Sequence, residues 1–177
     1  MSFQATRQNI NLAMRRFYFM LSIIWGVVAL DQATKWWIMG TFKLYELREV
    51  IPGFFNLVYL RNSGAAFSLL ASADGAWKQW FFIAVAVGAL GFILFLFKQY
   101  CASNMTYTIA LGLIGGGAVG NLIDRLRFGS VVDFLDFYVS GHHWPAFNVA
   151  DSAICVGVGL FLYRNLRDGN PAEEQQD

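Results

Sequence analysis

Two stretches of this chain run uncharged for long enough to cross a lipid bilayer: Trp80–Phe97, 18 residues, and Met105–Ile123, 19 residues. A hydrocarbon core of about 30 Å takes about 20 helical residues, so both qualify as spans. Two further runs, Phe17–Leu30 with 14 residues and Ser152–Tyr163 with 12, are short alone. Each continues past an acidic residue into more apolar sequence. The first passes Asp31 and Lys35 to reach Trp36, Trp37, Ile38 and Met39; the last starts near Trp144 and encloses Asp151. Paired tryptophans at a span end suit the aromatic belt of a membrane interface. The expected fold is an all-α membrane protein with four transmembrane helices. Composition excludes the competing classes. A chain with 56% hydrophobic residues, 14% charged residues and a mean hydropathy of +0.45 is neither disordered nor a soluble globule, since soluble domains usually carry about 25% charged residues. A net charge of +1 leaves no footprint for nucleic acid. Cys101 and Cys155 suggest no disulfide framework.

Arg15 and Arg16 before the first run suggest a cleaved signal peptide. Asp31, Gln32 and Lys35 stand where a small-residue cleavage site belongs, so the span is expected to be retained. Four crossings put 1–16, 98–104 and 164–177 on one side and 31–79 and 124–146 on the other. The first set holds six basic residues in 37 and the second seven in 72, which by the positive-inside rule makes both termini cytoplasmic. The chain then divides into a cytoplasmic segment 1–16, one membrane domain 17–163, and a cytoplasmic tail 164–177 that reads as disordered. In the long outer connection Phe42–Leu47 alternates weakly, and Phe54–Leu60 reads as a strand after the turn at Pro52-Gly53. The small apolar stretch Gly64–Ala73 is too short to span and suits the interface.

This threading gathers the unusual polar residues at one membrane face. Asp31 and Lys35 end the first span, Asn62 lies in the outer loop, and Asn121, Asp124 and Arg125 end the third span. Asp133 and Asp136 sit in the second outer loop, and Asn148 and Asp151 open the fourth span. Ionisable groups at membrane depth cost about 2.5–3.5 kcal/mol each and face protein or a wet cavity. Structural roles compete for several of them. Asp31 and Lys35 stand at i,i+4 in the order that suits a helix ion pair. Asn148 and Asp151 have the spacing of an N-cap and an acidic third residue. Asn121 and Arg125 are one turn apart, with Asp124 placed to neutralise the arginine. Asp133 resists such readings, because it interrupts the apolar strand-like run Val131–Leu135.

Gly115, Gly117 and Gly120 satisfy the dinucleotide fingerprint but lie inside an uncharged span, with no preceding strand. Gly112, Gly116 and Gly120 repeat at i+4, as small residues do where membrane helices pack closely. His142 and His143, with Asp133 or Asp136 nearby, invite a metal reading, but adjacent histidines on an extended segment point opposite ways, and with no Cys cluster, no H-E-x-x-H and no further histidine no metal is expected. Ser152 and Cys155 have no activating histidine beside them and read as packing residues.

Four motifs in order carry a resemblance: Asp31-Gln32-Ala33-Thr34-Lys35, Asn62-Ser63-Gly64-Ala65-Ala66-Phe67, Gly120-Asn121-Leu122-Ile123-Asp124-Arg125 with Val132-Asp133-Phe134, and Phe147-Asn148-Val149-Ala150-Asp151. Over residues 17–163 the chain resembles the lipoprotein signal peptidase family, also called signal peptidase II or prolipoprotein signal peptidase. The resemblance implies an intramembrane aspartyl endopeptidase of the bacterial inner membrane. Its active site would face the periplasm and cut prolipoproteins before a cysteine that bears a diacylglyceryl group. It implies four helices with a small extramembrane β platform and a short interfacial helix on the periplasmic side. No metal or organic cofactor is implied, and a monomer, contact with membrane lipid and a globomycin-type inhibitor are. The catalytic pair falls on Asp133 and Asp151. Asp31, Lys35, Asn62, Gly64, Asn121, Asp124, Arg125 and Asn148 match supporting or substrate-facing positions.

Two neighbouring carboxyls resist double ionisation and share a proton near neutrality, which suits peptide hydrolysis by an activated water. Asp151, at the start of a helix, is the expected initial base, and Asp133, in an apolar run, the initial acid. Two other classes compete. An ion-coupled transporter would need polar groups reachable from both sides, and the cytoplasmic halves of the spans hold almost none. A scaffold packing through the glycines of span three would leave the polar cluster unexplained.

Overall fold

The computed structural model describes residues 3–64, 77–100 and 104–169. The elements run α1 (Phe3–Thr41), β1 (Leu47–Ile51), β2 (Phe55–Asn62), α2 (Trp77–Tyr100), α3 (Met105–Phe128), β3 (Val131–Val139), β4 (His142–His143) and α4 (Val149–Asp168). All four helices contain stretches long and apolar enough to cross a membrane. The expected interfacial stretch 64–73 lies outside the described residues beyond Gly64.

Helix α1 passes through Asp31 and Lys35 without a break. Its 39 residues make a rod of about 58 Å, longer than a bilayer core is thick. It begins at Phe3, so helix occupies most of the segment 1–16 that the sequence set apart. Helix α3 is the hub and the most buried of the four. Its glycine stripe lets backbones approach: a Cβ at Gly112 would meet Ile23, one at Gly116 would meet Val27, and one at Gly120 would meet Asp31. A second face presents Gly117 to Ala150 and Ile154 of α4, while Gly157 of α4 sits against Ile114. Without a hydrophobic effect between helices in lipid, such close packing is what holds a bundle together. Helix α2 turns Trp80, Val85, Phe92, Leu94 and Phe95 outward, as a lipid-facing helix does.

The strands form one antiparallel sheet in the order β1-β2-β3-β4. It closes the end of the bundle where α1 and α3 stop and α4 starts. Helix α3 ends at Gly129, whose φ of 69° is the left-handed cap that glycine adopts without strain. The weak alternation at Phe42–Leu47 is not a strand. Tyr45 has a φ of 67° and turns the chain, so β1 begins only at Leu47, while Phe42 packs under the sheet with Ile38, Tyr59, Val132 and Phe134. Helix α4 starts at Val149 rather than near Trp144. Phe147 is held extended against β3 by its N–H to Leu135 O and by Phe134 and Leu135 N–H to its own carbonyl. The helix also continues past Tyr163 to Asp168, where Arg164 and Asp168 form an i,i+4 pair at 2.6 Å.

Candidate active site

Asp133 and Asp151 reach one site by different routes. Asp133 rides on the central strand β3, with 3% of its surface exposed. Asp151 is the third residue of α4. There Asn148 Oδ1 accepts from Asp151 N at 3.0 Å while Asp151 Oδ2 accepts from Asn148 N at 3.2 Å, a reciprocal capping box. Asn148 is more than a cap. Its Nδ2 donates to Asp133 Oδ1 at 2.8 Å and to Val132 O and Asn121 Oδ1 at 3.2 Å, so one residue holds both carboxyl groups. The other oxygens are engaged too: Asn62 Nδ2 donates to Asp133 Oδ2 at 3.0 Å and Asn121 Nδ2 to Asp151 Oδ1 at 2.7 Å.

Behind this layer lies a buried ionic cluster. Lys35 Nζ donates to Asp31 Oδ2 and Asp124 Oδ2 at 2.9 Å each and to Asn121 Oδ1 at 3.0 Å. Lys35 and Asp31 have no exposed surface and Asp124 has 1%. Asp31 Oδ1 accepts from Ala150 N at 3.0 Å, and Asp124 Oδ2 accepts from Val132 N at 3.1 Å. A buried charge is tolerable only when paired and fully hydrogen-bonded, and here it is both.

In front, both aspartates line a cavity of about 490 Å³. Asn121 and Arg125 of α3, Trp144 to Phe147, and Ser152, Ile154 and Cys155 of α4 form much of its wall. Burial, and then the charge of Asp151, push the Asp133 carboxyl up to about 7, against the opposing hydrogen bonds from Asn62 and Asn148. A carboxyl that holds its proton near neutrality beside a second carboxyl can donate to a carbonyl oxygen while its neighbour accepts from water.

A family model described as signal peptidase (SPase) II matches residues 23–167. The chain belongs to the signal peptidase II family. A lipoprotein signal peptidase from Syntrophotalea carbinolica is 49% identical over 158 residues, covering 89% of this chain and 97% of that protein. One from Ralstonia nicotianae is 52% identical over 147 residues, 83% of this chain and 82% of its own length. A solved structure described as a bacterial membrane enzyme aligns with a TM-score of 0.76 at 36% identity, over 85% of this chain and 88% of that one. Membership of a signal peptidase II family makes the chain a protease, and the four spans with these relatives make it a bacterial membrane protein.

All ten residues singled out from the sequence fall at the same end of the bundle, eight of them in one hydrogen-bonded network. Gly64 joins through its N–H to Asn62 Oδ1 at 3.0 Å. Arg125 stands at the edge: it donates to the Asn121 carbonyl at 3.4 Å and lies 5.1 Å from the Phe82 ring. Asp124 makes no salt bridge with it, because the helix turns that carboxylate inward to Lys35. Asn121 is likewise turned to the aspartates: its Nδ2 donates to Asp151 while its Oδ1 accepts from Lys35 and Asn148, and it also lines the cavity. Cys155, expected to pack between helices, is exposed in the cavity wall. His143 meets Asp136 through Nδ1 at 2.9 Å and stacks on Tyr138, away from the cavity lining. Among the described residues no group of His, Cys, Asp and Glu could hold a metal ion. Sequence reasoning passed over Gln32, whose amide reaches Asp124 Oδ1 at 2.9 Å. Its place inside the first motif was the available signal.

Proposed function

We propose that the chain is an aspartyl endopeptidase that removes signal peptides from prolipoproteins, cutting before the diacylglyceryl-modified cysteine with water activated by Asp133 and Asp151. One observation carries this: Asn148 binds both carboxyl groups on the wall of a single cavity. Asp151, at the positive end of the α4 dipole, takes a proton from water. The hydroxide adds to the scissile carbonyl carbon as Asp133 gives its proton to the carbonyl oxygen. When the C–N bond breaks, the proton on Asp151 passes to the leaving nitrogen and Asp133 recovers one from the gem-diol. Asn62 and Asn148 hold Asp133 in place, and Arg125 grips a substrate carbonyl or the ester region of its lipid. The cavity faces the periplasm of the bacterial inner membrane with both termini in the cytoplasm. The enzyme works as a monomer among lipids and binds a globomycin-type cyclic peptide at this site.

The test is purified protein with a diacylglyceryl-modified prolipoprotein, with and without chelator. Asp133→Asn and Asp151→Asn should each lower cleavage by about 10²–10⁴-fold and leave the fold intact. Full activity in either variant refutes the pair, and loss of wild-type activity under chelation puts a metal in the reaction.

A further inference from the structure

We propose that Gln32 is a positioning residue for the Asp133–Asp151 pair, tying together the two carboxylates that grip the backbone beside each member. The inference rests on the aspartyl reading above. Lys35 spends its three hydrogens on Asp31 Oδ2, Asp124 Oδ2 and Asn121 Oδ1. Two carboxyl groups share one ammonium where almost no surface is exposed, and their remaining oxygens still need donors. Two of those donors are backbone groups. Ala150 N–H goes to Asp31 Oδ1, and Val132 N–H goes to Asp124 Oδ2. Ala150 immediately precedes Asp151, and Val132 immediately precedes Asp133. The spacing of the Asp31 and Asp124 carboxylates therefore sets where α4 and β3 present the two catalytic side chains.

Lys35 draws those carboxylates together, and Gln32 bridges them a second time. Its Nε2 lies 2.9 Å from Asp124 Oδ1 and 3.2 Å from both Asp31 Oδ2 and the Gly120 carbonyl. Among the described residues it is the sole donor to Asp124 Oδ1. A carboxamide suits the place: it supplies two hydrogens and adds no charge. Gly120 permits the approach, since a Cβ there would stand 2.6 Å from Asp31 Oδ2. The groups facing Gln32 are Asp31 and Lys35 from α1 and Asp124 from α3; β3 and α4 contribute the two backbone N–H groups.

The experiment compares Gln32→Met and Gln32→Glu in full-length protein reconstituted in nanodiscs. Methionine keeps the length and removes the donor. Misplacing the pair should then lower kcat by about 10–100-fold with KM nearly unchanged, at every pH. Glutamate donates to Asp124 only while protonated, so that variant should approach wild-type activity at acid pH and lose it as pH rises, at lower pH than wild type does. Equal deficits in both variants at all pH overturn the proposal, and a wild-type kcat and pH profile in Gln32→Met means a space-filling role and overturns it too. A second readout needs no turnover: the carboxyl infrared band of 13C-aspartate-labelled protein. The proposal expects the Asp133 titration midpoint to move in Gln32→Met, and an unmoved midpoint overturns it. Failure of wild type to cut the lipidated substrate would instead sink the aspartyl reading, leaving the infrared measurement to decide the role of Gln32.

Discussion

Adding one methyl group at Gly117 tests how tightly the α3–α4 contact controls the site. A Cβ there would overlap the carbonyl oxygen of Ala150 and stand 2.6 Å from Ile154 Cγ1. Ordinary carbon contacts are about 3.5 Å, so α4 must retreat by about 1 Å. The oxygen it strikes belongs to the residue before Asp151, in the first turn of α4, so the displacement falls on the proposed base. Overpacking of this kind costs about 1–3 kcal/mol of stability. A misplacement of about 1 Å costs about 10²-fold in rate. Gly117→Ala should therefore lower the melting temperature moderately and kcat severely, measured by thermal unfolding and by cleavage of a lipidated prolipoprotein in nanodiscs. Gly159→Ala is the control: it lies on α4, the helix that Gly117 packs against, with nothing within 4 Å of its added Cβ, and removing a helical glycine there should stabilise by up to about 1 kcal/mol. A Gly117→Ala enzyme that keeps its kcat within about threefold of wild type would refute the argument that α3 packing aims Asp151.

The pH profile follows from Asp133. Its carboxyl is raised to about 7 and must carry a proton to act as the acid, so kcat/KM of wild type should fall as pH rises through that value. The hydrogen bond from Asn62 favours the ionised form, so Asn62→Ala should move this limb to higher pH; a shift to lower pH would contradict the assignment. Lys35→Met leaves Asp31 and Asp124 without their shared cation and should destabilise the protein by about 3–5 kcal/mol. A melting curve insensitive to the substitution would show the cluster is not held by Lys35.

Much of the site is written in local spacing. Asp31 and Lys35 form the ion pair that their i,i+4 separation suggests, and Asn148 and Asp151 form the capping box that their i,i+3 separation suggests. The charge inside the run Val131–Leu135 marked a strand with a buried carboxylate. Other features depend on partners distant in sequence. Gln32 finds Asp124 across 92 positions, and nothing near either residue announces the pairing. Asp124 turns away from adjacent Arg125 because helix packing offers it Lys35 and the Val132 N–H instead.

The sequence by itself determined the four spans, the glycine face of α3 and the end of the bundle where the polar groups gather. Hydropathy and helical periodicity are properties of contiguous residues, and lipid rewards them directly. Only the tertiary structure decided which amide serves which carboxylate, where α4 begins, and that Asn148 joins Asp133 to Asp151. Those choices turn on tenths of an ångström between elements that meet only when the glycines of α3 let the backbones close.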